Sequence, residues 1–173
     1  MNKTFTKLAL LSVLFATLAS AATIYTLSAT ITTQATVPNI IFTTASDTSS
    51  IGGSVGANGT TFTATTVPLG VGSNVTVTQA VNLTNRDAGS ARSITAVVLL
   101  SEDFGSSLSQ LSIYAYNGAR TLLLSVDGTG AITYQFSGTL SMPASAVWTV
   151  IIEGCYDAGT VTTSNTISFY IQQ

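Results

Sequence analysis

Histidine is absent from this chain of 173 residues, and cysteine occurs once. The first absence removes the commonest general base, the usual activator of a nucleophile and the main imidazole ligand for transition metals. A single thiol, Cys155, cannot close an internal disulfide, and the usual zinc and iron–sulfur ligand sets are out of reach. Charge is scarce as well, at 7% of residues. Both lysines, Lys3 and Lys7, fall at the start of the chain. Beyond them the chain carries Arg86, Arg92 and Arg120 against Asp47, Asp87, Glu102, Asp103, Asp127, Glu153 and Asp157. A few scattered arginines in an acidic balance leave no electrostatic footprint for nucleic acid or anionic lipid. The only close carboxylate pairs, Glu102-Asp103 and Glu153/Asp157, lack calcium-loop spacing and read as solvated turn charges. Gly52-Gly53 and Gly70/Gly72 read as loop and turn glycines rather than a phosphate cradle. The expectation is a chain that is not an enzyme, with no catalytic residues, no cofactor and no metal site.

What is present is apolar and β-forming. Hydrophobic residues make up 46% of the chain, and Thr, Ser, Gly and Val stand where Lys, Glu and Leu usually dominate. The first 21 residues have the layout of a secretory signal peptide. Lys3 and Lys7 form a positive start, Leu8 to Leu18 (LALLSVLFATL) is the apolar stretch, and Ala19-Ser20-Ala21 is the small-residue cleavage site. Past that site the chain reads ATIYTLSATITT. Tyr25, Leu27, Ala29 and Ile31 lie on one face of a strand, and Thr26, Ser28, Thr30 and Thr32 on the other. A strand at the tip of a mature chain must find a sheet edge, in its own body or in a neighbour's.

The remainder divides into short strands. Gln34 to Asn39 is a connector, Ile40-Ile41-Phe42 a second strand, and Thr43 to Thr60 (TTASDTSSIGGSVGANGT) a small, polar loop with little to pack. Further strands are expected from Thr61, where FTATTV ends at Pro68. VTVTQAVNL comes next, with Val75, Val77, Val81 and Leu83 on one face. Ser93 to Leu100 is apolar on both faces, as in a central strand. Ser101 to Gln110 reads as a longer connection with room for a helical turn. Then LSIYAY, Asn117-Gly118, TLLLSV, Asp127-Gly128 and AITYQF predict a three-stranded meander, the two dipeptides supplying positive-φ turn positions. Ser145 to Glu153 is a buried strand, and Thr166 to Gln172 closes the chain with Ile167, Phe169 and Ile171 inward. Nine to ten strands at this spacing predict an all-β fold, a jelly-roll-like β-sandwich. The expected organisation is a signal peptide over 1–21, an N-terminal strand and connector over 22–36, and a sandwich body over 37–173.

Three asparagines, Asn58, Asn74 and Asn82, begin Asn-X-Thr acceptor patterns for N-glycosylation. Attached sugars would hydrate a surface poor in charge. Cys155 is expected to be a buried or half-buried free thiol, with a bond to another subunit as the alternative. Trp148 is expected in the core, and Tyr114 with Tyr116 as a cross-strand packing pair rather than an exposed stripe.

A short signal, a free N-terminal β-segment, a Gly/Ser loop and a sandwich carrying VTVTQAVNLTNRDAGSARSITAVVLL and VWTVIIEGCYDAGT resemble the exported biofilm-matrix fibre subunits of the TasA and camelysin type. The pattern is more closely similar to the related archaeal bundling pilins. The resemblance covers nearly the whole mature chain, in architecture and local rhythm and not in a diagnostic motif. It implies donor-strand complementation, in which the N-terminal segment completes the next subunit's sheet. The donor would be Ala22 to about Thr33, with Tyr25, Leu27, Ala29 and Ile31 facing the acceptor core. The implied partner is the chain itself, as a head-to-tail homopolymer at the cell surface, with neighbouring filaments in bundles. No nucleic acid is implied, and no membrane after signal cleavage. The protease activity linked with camelysin-like members does not carry over, because the metal ligands it needs are missing. Two alternatives stay open. A type IV pilin or archaellin-like subunit would retain the N-terminal apolar helix, though the threonines after Ala22 favour strand. A secreted sugar-binding adhesin module would use an aromatic face of the same sandwich. Mass spectrometry of the mature protein tests the first of these. Cleavage after Ala21 leaves Ala22 at the N-terminus, whereas a mature chain starting near Leu8 would favour the retained helix.

Overall fold

The computed structural model describes residues 37–103, 108–157 and 165–173. Twelve strands form among them: β1 (Ile40–Thr43), β2 (Ser54–Val55), β3 (Thr61–Ala64), β4 (Gly70–Val71), β5 (Val75–Asn85), β6 (Arg92–Asp103), β7 (Leu108–Tyr116), β8 (Arg120–Asp127), β9 (Ile132–Gln135), β10 (Ser137–Met142), β11 (Val147–Tyr156) and β12 (Thr166–Gln172). They build two sheets. The first runs β1-β5-β11-β7-β8-β9, and the second β10-β6-β12-β3-β2. Strand pairing is antiparallel except where β4 lies parallel to the end of β11, opposite Cys155 and Tyr156. The fold is all-β with two sheets, one of which curls through 189° into an open half-barrel.

The alternation of side chains explains why these segments pair as they do. On β12, Ile167, Phe169 and Ile171 all point inward and are buried, as their spacing predicts. On β11, Trp148, Val150, Ile152 and Tyr156 do the same. Phe42 of β1 meets Phe62 of β3 and Phe169 of β12, with ring centroids 5.9 and 5.5 Å away, and the latter two are 5.7 Å apart. Tilted and edge-on pairs of this kind add to area burial. This trio joins an edge strand of one sheet to the middle of the other. Asn85, at the end of β5, is buried as well. Its Nδ2 donates to Ser90 O, Met142 O and Pro143 O, which ties the first sheet to the end of β10 in the second.

The meander is as expected: β8 pairs with β7 on one side and β9 on the other. Gly118 takes a positive φ of 107° in the first turn. In the second turn the left-handed position belongs to Gly130 (φ 77°) and not to Gly128. Gly128 is required for another reason, since a Cβ there would lie 2.5 Å from Leu108 O. Asp127 organises this turn. Its Oδ1 accepts from the Thr129 hydroxyl and from the Thr129 and Ala131 N–H groups, which holds the carboxyl below its usual range.

Four expectations change. The stretch from Thr43 to Thr60 is not a loop with little to pack: Thr48 and Ile51 are buried, and the short strand β2 lies within it. It folds against a bulge in β5, where pairing with β11 jumps from Val81↔Val150 to Val77↔Ile152. Asp47 N donates to Gln79 O (3.1 Å), Gln79 N to Asp47 Oδ2 (3.1 Å), and the Thr48 hydroxyl to Ala80 O (2.7 Å). The bulge leaves Thr78 and Gln79 exposed while Ala80 is buried, and Val75, expected inward, is 37% exposed. On β6 the apolar run is not covered on both faces. Leu100 is the extra residue between the pairs Leu99↔Phe169 and Ser101↔Ser168, and it is exposed. The long connection expected after Ser101 is short, because β6 extends to Asp103 and β7 begins at Leu108.

Candidate functional site at the sheet edges

The proposed donor residues Tyr25, Leu27, Ala29 and Ile31, and the signal segment before them, lie outside the described residues. The other candidates can be placed. Asn58 and Asn74 are exposed, whereas Asn82 is half-buried on β5, its amide donating to Thr44 O at 3.3 Å. Cys155 is a half-buried free thiol near the end of β11, and Trp148 packs in the core. The two tyrosines of β7 have different roles. Tyr114 lies under the Arg120 guanidinium, 5.3 Å from its centroid, while Tyr116 is exposed. Arg120 pairs with Glu153 at 2.9 Å, and Glu153 also accepts from Asn74 Nδ2 and the Thr76 hydroxyl. This row links β5, β11 and β8 and offers little stabilisation on an exposed face.

The informative contrast lies at the two ends of the strand order in the first sheet. An edge strand presents unpaired N–H and C=O groups, which must be bonded or hydrated. At β1 that edge is closed. The Gln173 side-chain amide imitates a strand: its Oε1 accepts from Asn39 N (3.0 Å) and Ile40 N (2.9 Å), and its Nε2 donates to Ile40 O (2.6 Å). Phe42 N then donates to Gly59 O at 2.6 Å. The described residues begin beside this closed edge, at Val37.

At β9 the opposite holds. β9 and β10 are one bent strand joined through Phe136. Phe136 N donates to Leu123 O of β8, and Phe136 O accepts from Val97 N of β6, so the strand passes from one sheet to the other. β8 and β6 are its strand partners among the described residues. Every residue of β9 is exposed, including Ile132 at 45% and Tyr134 at 41%. Two of the usual edge protections are missing: from Gly128 to Ile152 there is no charged residue, and no proline lies between Ile132 and Met142, although the pairing is irregular between Ile132 and Tyr134 and between Ser137 and Leu140. The second sheet ends at β2, which is only two residues long and so offers a short edge.

Strand addition is the chemistry such an edge performs, using backbone hydrogen bonds and apolar side chains rather than a reactive group. The meander was visible in the sequence, but which of its strands would be an edge was not. The lack of charge between Gly128 and Ile152 could not have singled it out, because the stretches 8–46 and 48–85, which hold β1 and β2, are uncharged and longer. No protein-family model matches the chain, and no curated protein is significantly similar to it.

The capping role of Gln173 is directly testable. Gln173→Ala removes partners from a half-buried edge strand, at a cost of about 0.5–1.5 kcal/mol, since water can reach the groups released. Native-state hydrogen exchange at the Ile40 amide should quicken, while Ile152 in central β11 should keep its protection. Unchanged exchange at Ile40 would show that the amide cap is not what closes this edge.

Proposed function

We propose that this chain is the structural subunit of an extracellular pilus or biofilm-matrix fibre, secreted and assembled at the cell surface. The proposed mode of assembly is donor-strand complementation. The segment from Ala22 to about Thr33, freed by signal cleavage, pairs with the sheet of the next subunit. In this reading the body is jelly-roll-like with a protruding N-terminal strand, as in the archaeal bundling pilins that the sequence resembles. The chain's partner is another copy of itself, and bundles form from neighbouring filaments. It carries out no reaction and needs no cofactor.

One observation carries this reading: among the described residues the β1 edge is closed by Gln173 and Gly59, whereas the β9–β10 edge is left open and uncharged. Donor and acceptor are then different surfaces. Such a contact is heterologous and need not close, so it propagates a filament. Burial of Leu27, Ile31 and part of Tyr25 would supply roughly 5–8 kcal/mol before ordering costs, at ~25 cal/mol per Å². Backbone pairing along the strand adds to this.

The face assignment of the donor gives the test. Leu27→Asp or Ile31→Asp sets a carboxylate against an apolar acceptor, at a cost of several kcal/mol. Thr30→Asp, on the other face, should be far milder. Fibres counted by negative-stain microscopy should vanish for the first two variants and persist for the third, with the melting temperature of the body unchanged in all three. Equal effects at Ile31 and Thr30 would overturn the assignment.

A further inference from the structure

We infer that the acceptor is the bent strand Ile132–Met142, and that its occupant is the segment Ala22–Thr33 of a second copy of this chain. This inference rests on the donor-strand reading above and adds the place where the donor lands. A donor could pair with β1, with β2 or with β9–β10. The β1 edge is occupied by the Gln173 amide and Gly59 O. The β2 edge is two residues long. The β9–β10 edge is the longest of the three at eleven residues, four in β9, six in β10 and Phe136 between them, with irregular pairing between Ile132 and Tyr134 and between Ser137 and Leu140.

The two strands match. The donor segment has twelve residues, so at about 3.3 Å per residue both span a little under 40 Å. Neither carries a charged side chain, so the only ionised group brought to the edge is the α-ammonium of Ala22, at the tip of the donor where it can stay in water. Ile132 and Tyr134 are half-exposed beside the edge, where the side chains of an added strand cover them. Asn85 holds the far end of β10 by its bonds to Met142 O and Pro143 O, so the edge is presented in one conformation. Because β9 belongs to one sheet and β10 to the other, a single donor extends both sheets at once. It locks the corner where the chain turns between them.

The test uses the full-length secreted protein. Thr133→Lys and Thr139→Lys place a charge on exposed positions of the edge, and Thr78→Lys places the same charge on the bulge of β5. The edge variants should lose fibres with unchanged monomer melting, and Thr78→Lys should keep them. In a Cys155→Ser background, Ser28→Cys is combined in turn with Thr133→Cys, Gln135→Cys, Ser137→Cys or Thr139→Cys, and with Thr43→Cys on β1 as the control. Oxidised fibres should give a ladder of disulfide-linked subunits for at least one edge pair and none for Thr43. Normal fibres from both lysine variants, or a ladder with Thr43 alone, overturn this acceptor. If deletion of 22–33 still abolishes fibres in that case, the donor reading survives and only its landing place is wrong. If the deletion leaves normal fibres, both fail together.

Discussion

A β-sheet ends in a row of backbone groups that want partners, and the arrangement of this molecule depends on how each row is treated. In this chain few charged side chains are available to guard an edge, so closure has to come from hydrogen bonds. Gln173 does this for β1 by offering a side-chain amide in place of a peptide. The Gly59 carbonyl extends the closure by one more bond. The segment from Thr43 to Thr60 serves the same end: it bonds to the β5 bulge through Asp47 and Thr48 and buries Ile51. Among the described residues the bent strand β9–β10 receives no such treatment, and that difference is the basis of the proposed assembly.

Stability of the body comes from burial rather than from charge. The ion pairs Arg92–Asp87 and Arg120–Glu153 lie on the surface, where such contacts contribute little. Asp87 is chiefly a turn organiser. Its Oδ1 accepts from the Gly89 and Ser90 N–H groups and its Oδ2 from Arg92, which together hold its carboxyl below the usual range. Whatever Asp87 contributes is present above the ordinary carboxylate pKa, about 3.9, and fades as the pH falls through its lowered folded value. The aromatic trio Phe42, Phe62 and Phe169 and the apolar side chains of β11 form the core that makes the edges rigid.

Much of the fold was legible because period-2 alternation and turn dipeptides are local signals. The strand at Thr166 to Gln172, the buried strand at Ser145 to Glu153 and the meander from Leu111 to Phe136 could all be read directly. Bulges could not. The bulges at Thr78–Ala80 in β5 and at Leu100 in β6 arise from pairing with distant strands, so no local pattern marks them. The anchoring of Ile51 was hidden in the same way: its neighbours are small and polar, and its partners lie far along the chain. The closed edge depends on Gln173 meeting Ile40 across 133 residues, a contact that composition and periodicity do not encode. The open edge was not legible either: uncharged stretches run through β1 and β2 as well, and only the strand order separates β9–β10 from them.

The central claim is that one subunit's N-terminal strand lies along Ile132–Met142 of the next. Helical reconstruction of the native fibre by electron cryo-microscopy tests it most directly. The account predicts an additional strand, traceable as Ala22 to about Thr33 of the adjacent subunit, hydrogen-bonded along the free side of β9 and β10. A fibre map in which that edge faces solvent, or in which the N-terminal segment folds back into its own subunit, would contradict it.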